Sequence, residues 1–172
     1  MKKKLIILIG ILILISIPIV ILILSNNKVK QKEFENDYYK FKFDTTWKLK
    51  SNDDGVELTH KKTKSTIKIK NKKLDNNLID IELKERISSI TDMIQEQNPD
   101  YKLISVKDTP SDKYDSYSYL YENNDEQVLV NIYKKDTNLV VMYYSSPSKY
   151  YDIVLDSVDS IVNSLEIKNI IE

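Results

Sequence analysis

Residues 5–24, LIILIGILILISIPIVILIL, carry no charge, and 17 of the 20 are Leu, Ile or Val. At about 1.5 Å rise per residue a helix of this length spans roughly 30 Å, the hydrocarbon thickness of a bilayer. The run predicts a transmembrane anchor. Gly10 and Pro18 would weaken a soluble helix but are tolerated in lipid, where no water competes for the backbone. A cleaved signal peptide has a shorter apolar region, about 7 to 15 residues, followed by a small-residue cleavage site. Here the run is longer and ends in LSNNKVK. A lipoprotein would need a cysteine at that junction, and the chain has none. Lys2, Lys3 and Lys4 precede the span, so the positive-inside rule keeps residues 1–4 in the cytoplasm and the C-terminal part outside. Lys28, Lys30 and Lys32 follow closely and reduce the charge contrast.

Without cysteine there are no disulfides, and the stability of an external domain must come from its core. About 130 residues suffice for that. Net charge is zero, but residues 28–73 hold 14 lysines against 7 acids, and residues 74–172 hold 9 basic groups against 19 acids. Folding either keeps these halves apart, giving a basic face, or mixes them. A usage of 25 lysines to one arginine, with much Ile and Asn, fits the AT-rich genome of a low-GC Gram-positive bacterium.

Residues 25–37 are polar without sustained period and read as a linker. From Tyr38 the pattern changes. Tyr39, Phe41 and Phe43 alternate with Lys40 and Lys42, and Trp47 and Leu49 alternate with Lys48 and Lys50, which is the period of half-buried strands. SNDDG at 51–55 and KKTK at 61–64 are turns between further strands, VELTH and STIKIK. From Leu78 to Gln97 the period becomes helical, with Ile79, Leu83, Ile87, Ile90 and Ile94 on one face and Asn98-Pro99 as the stop. Strands follow at YKLISVK, YDSYSYLYE, EQVLVNIYKK and NLVVMYYSS, the middle pair joined by the turn NNDE. A last helix is expected to open at Ser146-Pro147 and to turn Tyr151, Val154, Val158, Ile161 and Leu165 inward. The order is four strands, helix, four strands, helix. It predicts an α+β domain over 38–167, a mostly antiparallel sheet with two packed helices, and a tail at 168–172.

This order resembles the PsbP-like superfamily. The resemblance also rests on the corner YYKFKFDTTW, the helix segment RISSITDMI, the hairpin YSYLYENNDEQVLVNIYKK and the closing SVDSIVNSLEI. That group includes the PsbP protein of photosystem II, a Ran-binding import factor of yeast and bacterial DcrB-type envelope proteins. The resemblance covers about residues 36–167 and implies an α/β/α sandwich without a catalytic signature. Members commonly carry a Pro-x-Gly-Trp-like corner; here it is Asp44-Thr45-Thr46-Trp47, without proline or glycine. Asp44 and Thr45 can bond their own backbone, and Trp47 then drops onto the core.

The chemical inventory is sparse. One histidine, no cysteine and a single glycine beyond the apolar run exclude Cys–His zinc sites, thiol chemistry and glycine-rich phosphate loops. His60 sits by the turn THKKT without a partner arrangement for base catalysis and reads as a solvated turn residue. The carboxylates Asp53-Asp54 and Glu122, Asp125, Glu126 lack the spacing of a calcium loop. No metal, cofactor or catalytic residue is expected, and the chain is not read as an enzyme.

Two residue groups remain. Tyr117, Tyr119 and Tyr121 share one face of a strand, with Tyr143 and Tyr144 on a neighbour; they form either an aromatic ladder packed under a helix or a platform for a protein partner. Lys61, Lys62, Lys64, Lys68, Lys70, Lys72 and Lys73 are either a solvated strand face or a contact for anionic lipid or wall polymer. The expected function is a membrane-anchored, extracytoplasmic, non-catalytic binding or assembly module of the envelope with a protein partner and no nucleic acid. A structural envelope-surface protein and a carboxylate-dependent hydrolase are the alternatives.

Overall fold

The computed structural model describes residues 30–53, 55–74, 88, 92, 96, 98–108 and 114–169. The apolar run 5–24 lies outside them, as does most of the expected helix 78–97. Of that helix Ser88, Asp92 and Glu96 are described; all three are helical and exposed. No helix among the described residues is long and apolar enough to cross a membrane.

The strands are β1 (Gln31–Glu35), β2 (Tyr39–Asp44), β3 (Trp47–Asn52), β4 (Gly55–His60), β5 (Thr66–Lys73), β6 (Lys102–Asp108), β7 (Asp115–Glu122), β8 (Glu126–Lys135), β9 (Asn138–Pro147) and β10 (Glu166–Ile167). A 3-10 turn at Ser148–Tyr150 leads into α1 (Tyr151–Asn163). Among the described residues these form two antiparallel sheets, one of seven strands in the order β3-β4-β5-β9-β8-β7-β6 and one of three in the order β1-β2-β10. Helix α1 packs on β2 and β9. Its Tyr151, Val154, Val158 and Ile161 are buried in one core with Phe41, Ile67, Ile69, Met142 and Tyr144. Leu165, expected on the same helix, is buried two residues beyond its end.

The corner at 44–47 carries the chain from one sheet to the other. Asp44 Oδ1 accepts the Thr46 backbone N–H at 2.7 Å and also the Thr46 hydroxyl. Its Oδ2 accepts the Ser157 hydroxyl at 2.7 Å. Ser157 Oγ in turn accepts Trp47 Nε1–H at 2.8 Å, on a ring that is 1% exposed. An indole N–H buried in this way requires such an acceptor. The corner therefore fixes Trp47 to the middle of α1 as well as turning the backbone.

Three expectations are corrected. The linker reading of 25–37 fails over Gln31–Glu35, which pairs along β2 from Gln31↔Asp44 to Glu35↔Lys40. Four of its five residues are exposed and only Phe34 packs inward, on Tyr39 and Phe41, so the strand has no alternation to read. Among the described residues five strands, rather than four, thus precede the first helical ones, and β10 follows α1. Finally, Ser146-Pro147 ends β9 instead of opening the helix. Ser146 is buried with its hydroxyl 2.8 Å from that of Ser65, so it is committed to a cross-strand contact and caps nothing.

Replacing Ser157 by Ala leaves the Trp47 N–H and one carboxylate oxygen of Asp44 without their partner. We expect a loss of about 1 to 3 kcal/mol in denaturant unfolding, with a shift in emission of the sole tryptophan. A variant as stable as the parent would show that the contact is energetically idle.

Candidate functional site

Register decides which side chains share a face. Glu57 on β4 pairs with Lys50 on β3 and with Lys68 on β5, and Lys68, Lys70 and Lys72 pair in turn with Tyr143, Val141 and Leu139 on β9. Continuing across β8, Tyr143 meets Val130 and Val130 meets Tyr119 of β7. One face of the large sheet thus carries lysines at the β3–β5 side and tyrosines and aliphatics at the β7–β9 side. The opposite face receives α1.

The two candidate groups have different fates on this face. Tyr119 is 6% and Tyr121 1% exposed, stacked on each other at 6.5 Å in a second core with Leu74, Val130, Ile132 and Leu139. Tyr117 and Tyr143 are partly buried against it. The partner platform is therefore corrected: at Tyr119 and Tyr121 the rings are core. Tyr101 also packs on this cluster and donates its hydroxyl to Glu126 at 2.5 Å; burial, together with that carboxylate, pushes the phenol up to about 12.

The lysines are on the surface. Lys61, Lys62, Lys64, Lys68, Lys70, Lys72 and Lys73 are all exposed, and Lys48 and Lys50, which the sequence reading left out of this group, join them on β3. Within β3–β5 only Glu57 interrupts the set, with its carboxylate 4.0 Å from Lys68. Lys50, Glu57, Lys68 and Lys70 rim an open depression of about 180 Å³ floored by Gly55. That glycine has φ +138°, and a Cβ there would lie 2.2 Å from the Ile69 carbonyl oxygen, so only glycine permits this approach of β4 to β5.

A third feature was not singled out from sequence. Four large hydrophobic residues are exposed among the described residues, and three lie in β6: Leu103 at 37%, Ile104 at 48% and Val106 at 53%. No described strand pairs with the outer side of β6. The stretch LISV was readable as an apolar strand, but its place at the sheet edge follows only from topology.

His60 is half-buried, not a solvated turn residue. Its ring meets Trp47 edge-on at 5.2 Å, and Nδ1 lies 2.8 Å from the Thr63 hydroxyl. Burial holds the imidazole below its ordinary value, partly offset by the charge of Asp44. At Asp44 burial works to raise the carboxyl, but the hydrogen bonds from Thr46 and Ser157 outweigh it and the net shift is downward. Among the described residues no group of three His, Cys, Asp or Glu is placed to hold a metal ion.

No family model and no curated protein sequence matches the chain. Solved structures do, and they define the fold as PsbP-like. Cyanobacterial PsbP from Synechocystis superposes with a TM-score of 0.66 at 12% identity, covering 81% of this chain and 94% of that one. The Ran-binding protein Mog1p of Saccharomyces cerevisiae gives 0.58 at 10%, covering 81% and 96%. LpqN of Mycobacterium tuberculosis, involved in cell envelope biogenesis, gives 0.57 at 7%, covering 84% and 94%. The fold resemblance read from the sequence is borne out.

Two measurements follow. Tyr119→Ser should cost about 3 to 5 kcal/mol, the range for emptying an aromatic core site; an unchanged thermal midpoint would return the ring to the surface. The pH dependence has one sign. His60 and Asp44 both have depressed values, so each contributes stability that is present above its ordinary value, 6.5 and 3.8, and is lost as the pH falls through the folded one. The midpoint should fall in two stages on acidification, the first absent in His60→Gln and the second in Asp44→Asn. A rise in stability on acidification would refute the assignment.

Proposed function

We propose that the chain is a non-catalytic binding or assembly module, anchored in a bacterial membrane through residues 5–24, with its folded domain outside. The observation that carries the binding role is β6, an edge strand that concentrates three of the four exposed large hydrophobics among the described residues. An apolar edge left open invites another chain to add to it, either by design or as an aggregation fault. The shared fold supports the class, since one solved neighbour binds Ran and another takes part in envelope biogenesis. The absence of cysteine and the single histidine support a role without catalysis.

A photo-crosslinking residue at Ile104, compared with one at Ile153 on the exposed side of α1, tests the reading in living cells. A discrete crosslinked protein at 104 and not at 153, lost in Leu103→Lys/Val106→Lys, is expected. Those surface changes should move stability by no more than about 0.5 kcal/mol. Equal or absent crosslinking at both sites would overturn β6 as the contact. Protease added to intact, wall-stripped cells should remove the domain; cleavage only after lysis would reverse the orientation.

A further inference from the structure

We infer that the basic face of β3 and β5 rests on the anionic headgroups of the bilayer, so that the domain lies against the membrane in one orientation. This rests on the anchor proposed above. Lys48 and Lys50 on β3 and Lys68, Lys70 and Lys72 on β5 project from the same face, because Glu57 is the register partner of both Lys50 and Lys68. With strands about 4.8 Å apart and same-face residues about 7 Å apart, these five ammonium groups fill a patch of roughly 10 by 13 Å. Within strands β3, β4 and β5 the one carboxylate is Glu57.

The patch begins where the chain arrives. Gln31, the first residue of β1, pairs with Asp44 at the corner. The β4–β5 turn with Lys61, Lys62 and Lys64 is bound to the same corner: Lys61 donates its backbone N–H to Thr46 O at 3.0 Å and its ammonium to Thr45 O at 2.5 Å. Six residues, 25–30, join the apolar run to β1, a covalent reach of at most about 20 Å. That is two to three Debye lengths at physiological salt, about 8 Å each, so attraction to an anionic surface acts only when the tether lets the lysines come within about one Debye length of it.

The reverse orientation is disfavoured by the same fold. Helix α1 lies on the other face of the sheet and exposes Asp152, Asp156 and Asp159, with Lys42 of β2 beside the last two. An anionic surface attracts one side of the domain and repels the other. Strand β6 lies at the far edge of the sheet from β3, four strands beyond β5.

The full chain, reconstituted in nanodiscs of phosphatidylcholine or of equal parts phosphatidylcholine and phosphatidylglycerol, is treated with an amine-acylating reagent and read by peptide mass spectrometry. Lys50, Lys68 and Lys70 should react several-fold more slowly on the anionic discs, and Lys149 equally on both. The difference should vanish at about 1 M salt, where the Debye length is about 3 Å. It should also vanish at Lys72 in the variant Lys50→Glu/Lys68→Glu/Lys70→Glu. Equal reactivity on both discs, with the chain retained after alkaline washing, overturns the docking and leaves the anchor standing. Loss of the chain on washing overturns both. Protection by soluble poly(glycerol phosphate) on neutral discs, without protection by phosphatidylglycerol, would make the partner a polymer and overturn the lipid assignment.

Discussion

One hydroxyl ties the layers together. Ser157 Oγ, halfway along α1, accepts the Trp47 N–H and donates to Asp44. Trp47 opens the seven-stranded sheet, and Asp44 closes the central strand of the three-stranded one. Strands that belong to different sheets have no ladder between them, so side chains must hold their relation. Here the corner residue that leaves one sheet and the ring that enters the other meet on a single atom of the helix. The lower end is fixed similarly: the Ser164 hydroxyl accepts the Lys42 N–H at 2.9 Å, and the Asn138 side-chain amide donates to Tyr38 O at 3.0 Å. Hydrogen bonds of this kind specify a geometry more than they add net stability.

What could be read from sequence follows burial asymmetry. Strands β2 and β5 bury one face, and Phe41 or Ile69 alternate with Lys42 or Lys70, so both were legible. Strand β1 buries neither face and left no period. Strands β8 and β9 are covered on both faces, as their apolar runs imply. The tyrosines of β7 show the limit of the method: period 2 assigns Tyr117, Tyr119 and Tyr121 to one face without saying whether that face is wet. Only the register, which sets Tyr119 beside Val130 and Tyr121 beside Val128, and their burial show these two to be core. The lysine surface was half legible; Lys48 and Lys50 joined it through pairing across β4.

Among the described residues, open depressions are rimmed by lysines, by Asp156 and Asp159, or by the Asn123–Asp125 turn. The most perturbed groups are tyrosines such as Tyr39 and Tyr151, raised to about 12 chiefly by burial, which is what packed phenols do. The apolar β6 strand and the basic β3–β5 strands lie toward opposite edges of the seven-stranded sheet.

That separation has a topological cause. The sequence is basic in residues 28–73 and acidic from 74 onward. The sheet order β3-β4-β5-β9-β8-β7-β6 keeps the two halves as unbroken blocks that meet at one seam, β5 against β9, paired from Thr66↔Ser145 to Lys73↔Asn138. Had a strand from the acidic half inserted between β3 and β5, carboxylates would have neutralised the lysines across the ladder. Instead the neighbours of Lys68, Lys70 and Lys72 at the seam are Tyr143, Val141 and Leu139, which carry no charge. The basic half of the chain therefore survives as a basic side of the sheet, beside strands β6–β9 that carry four lysines and four acids. Because opposite-charge pairing across strands is one way a sheet gains stability, a β5 row with only Glu57 beside it forgoes that gain over most of its length. The lysines there contribute to what the domain faces, and the buried Ile67 and Ile69 on the other side of the same strand hold it in place.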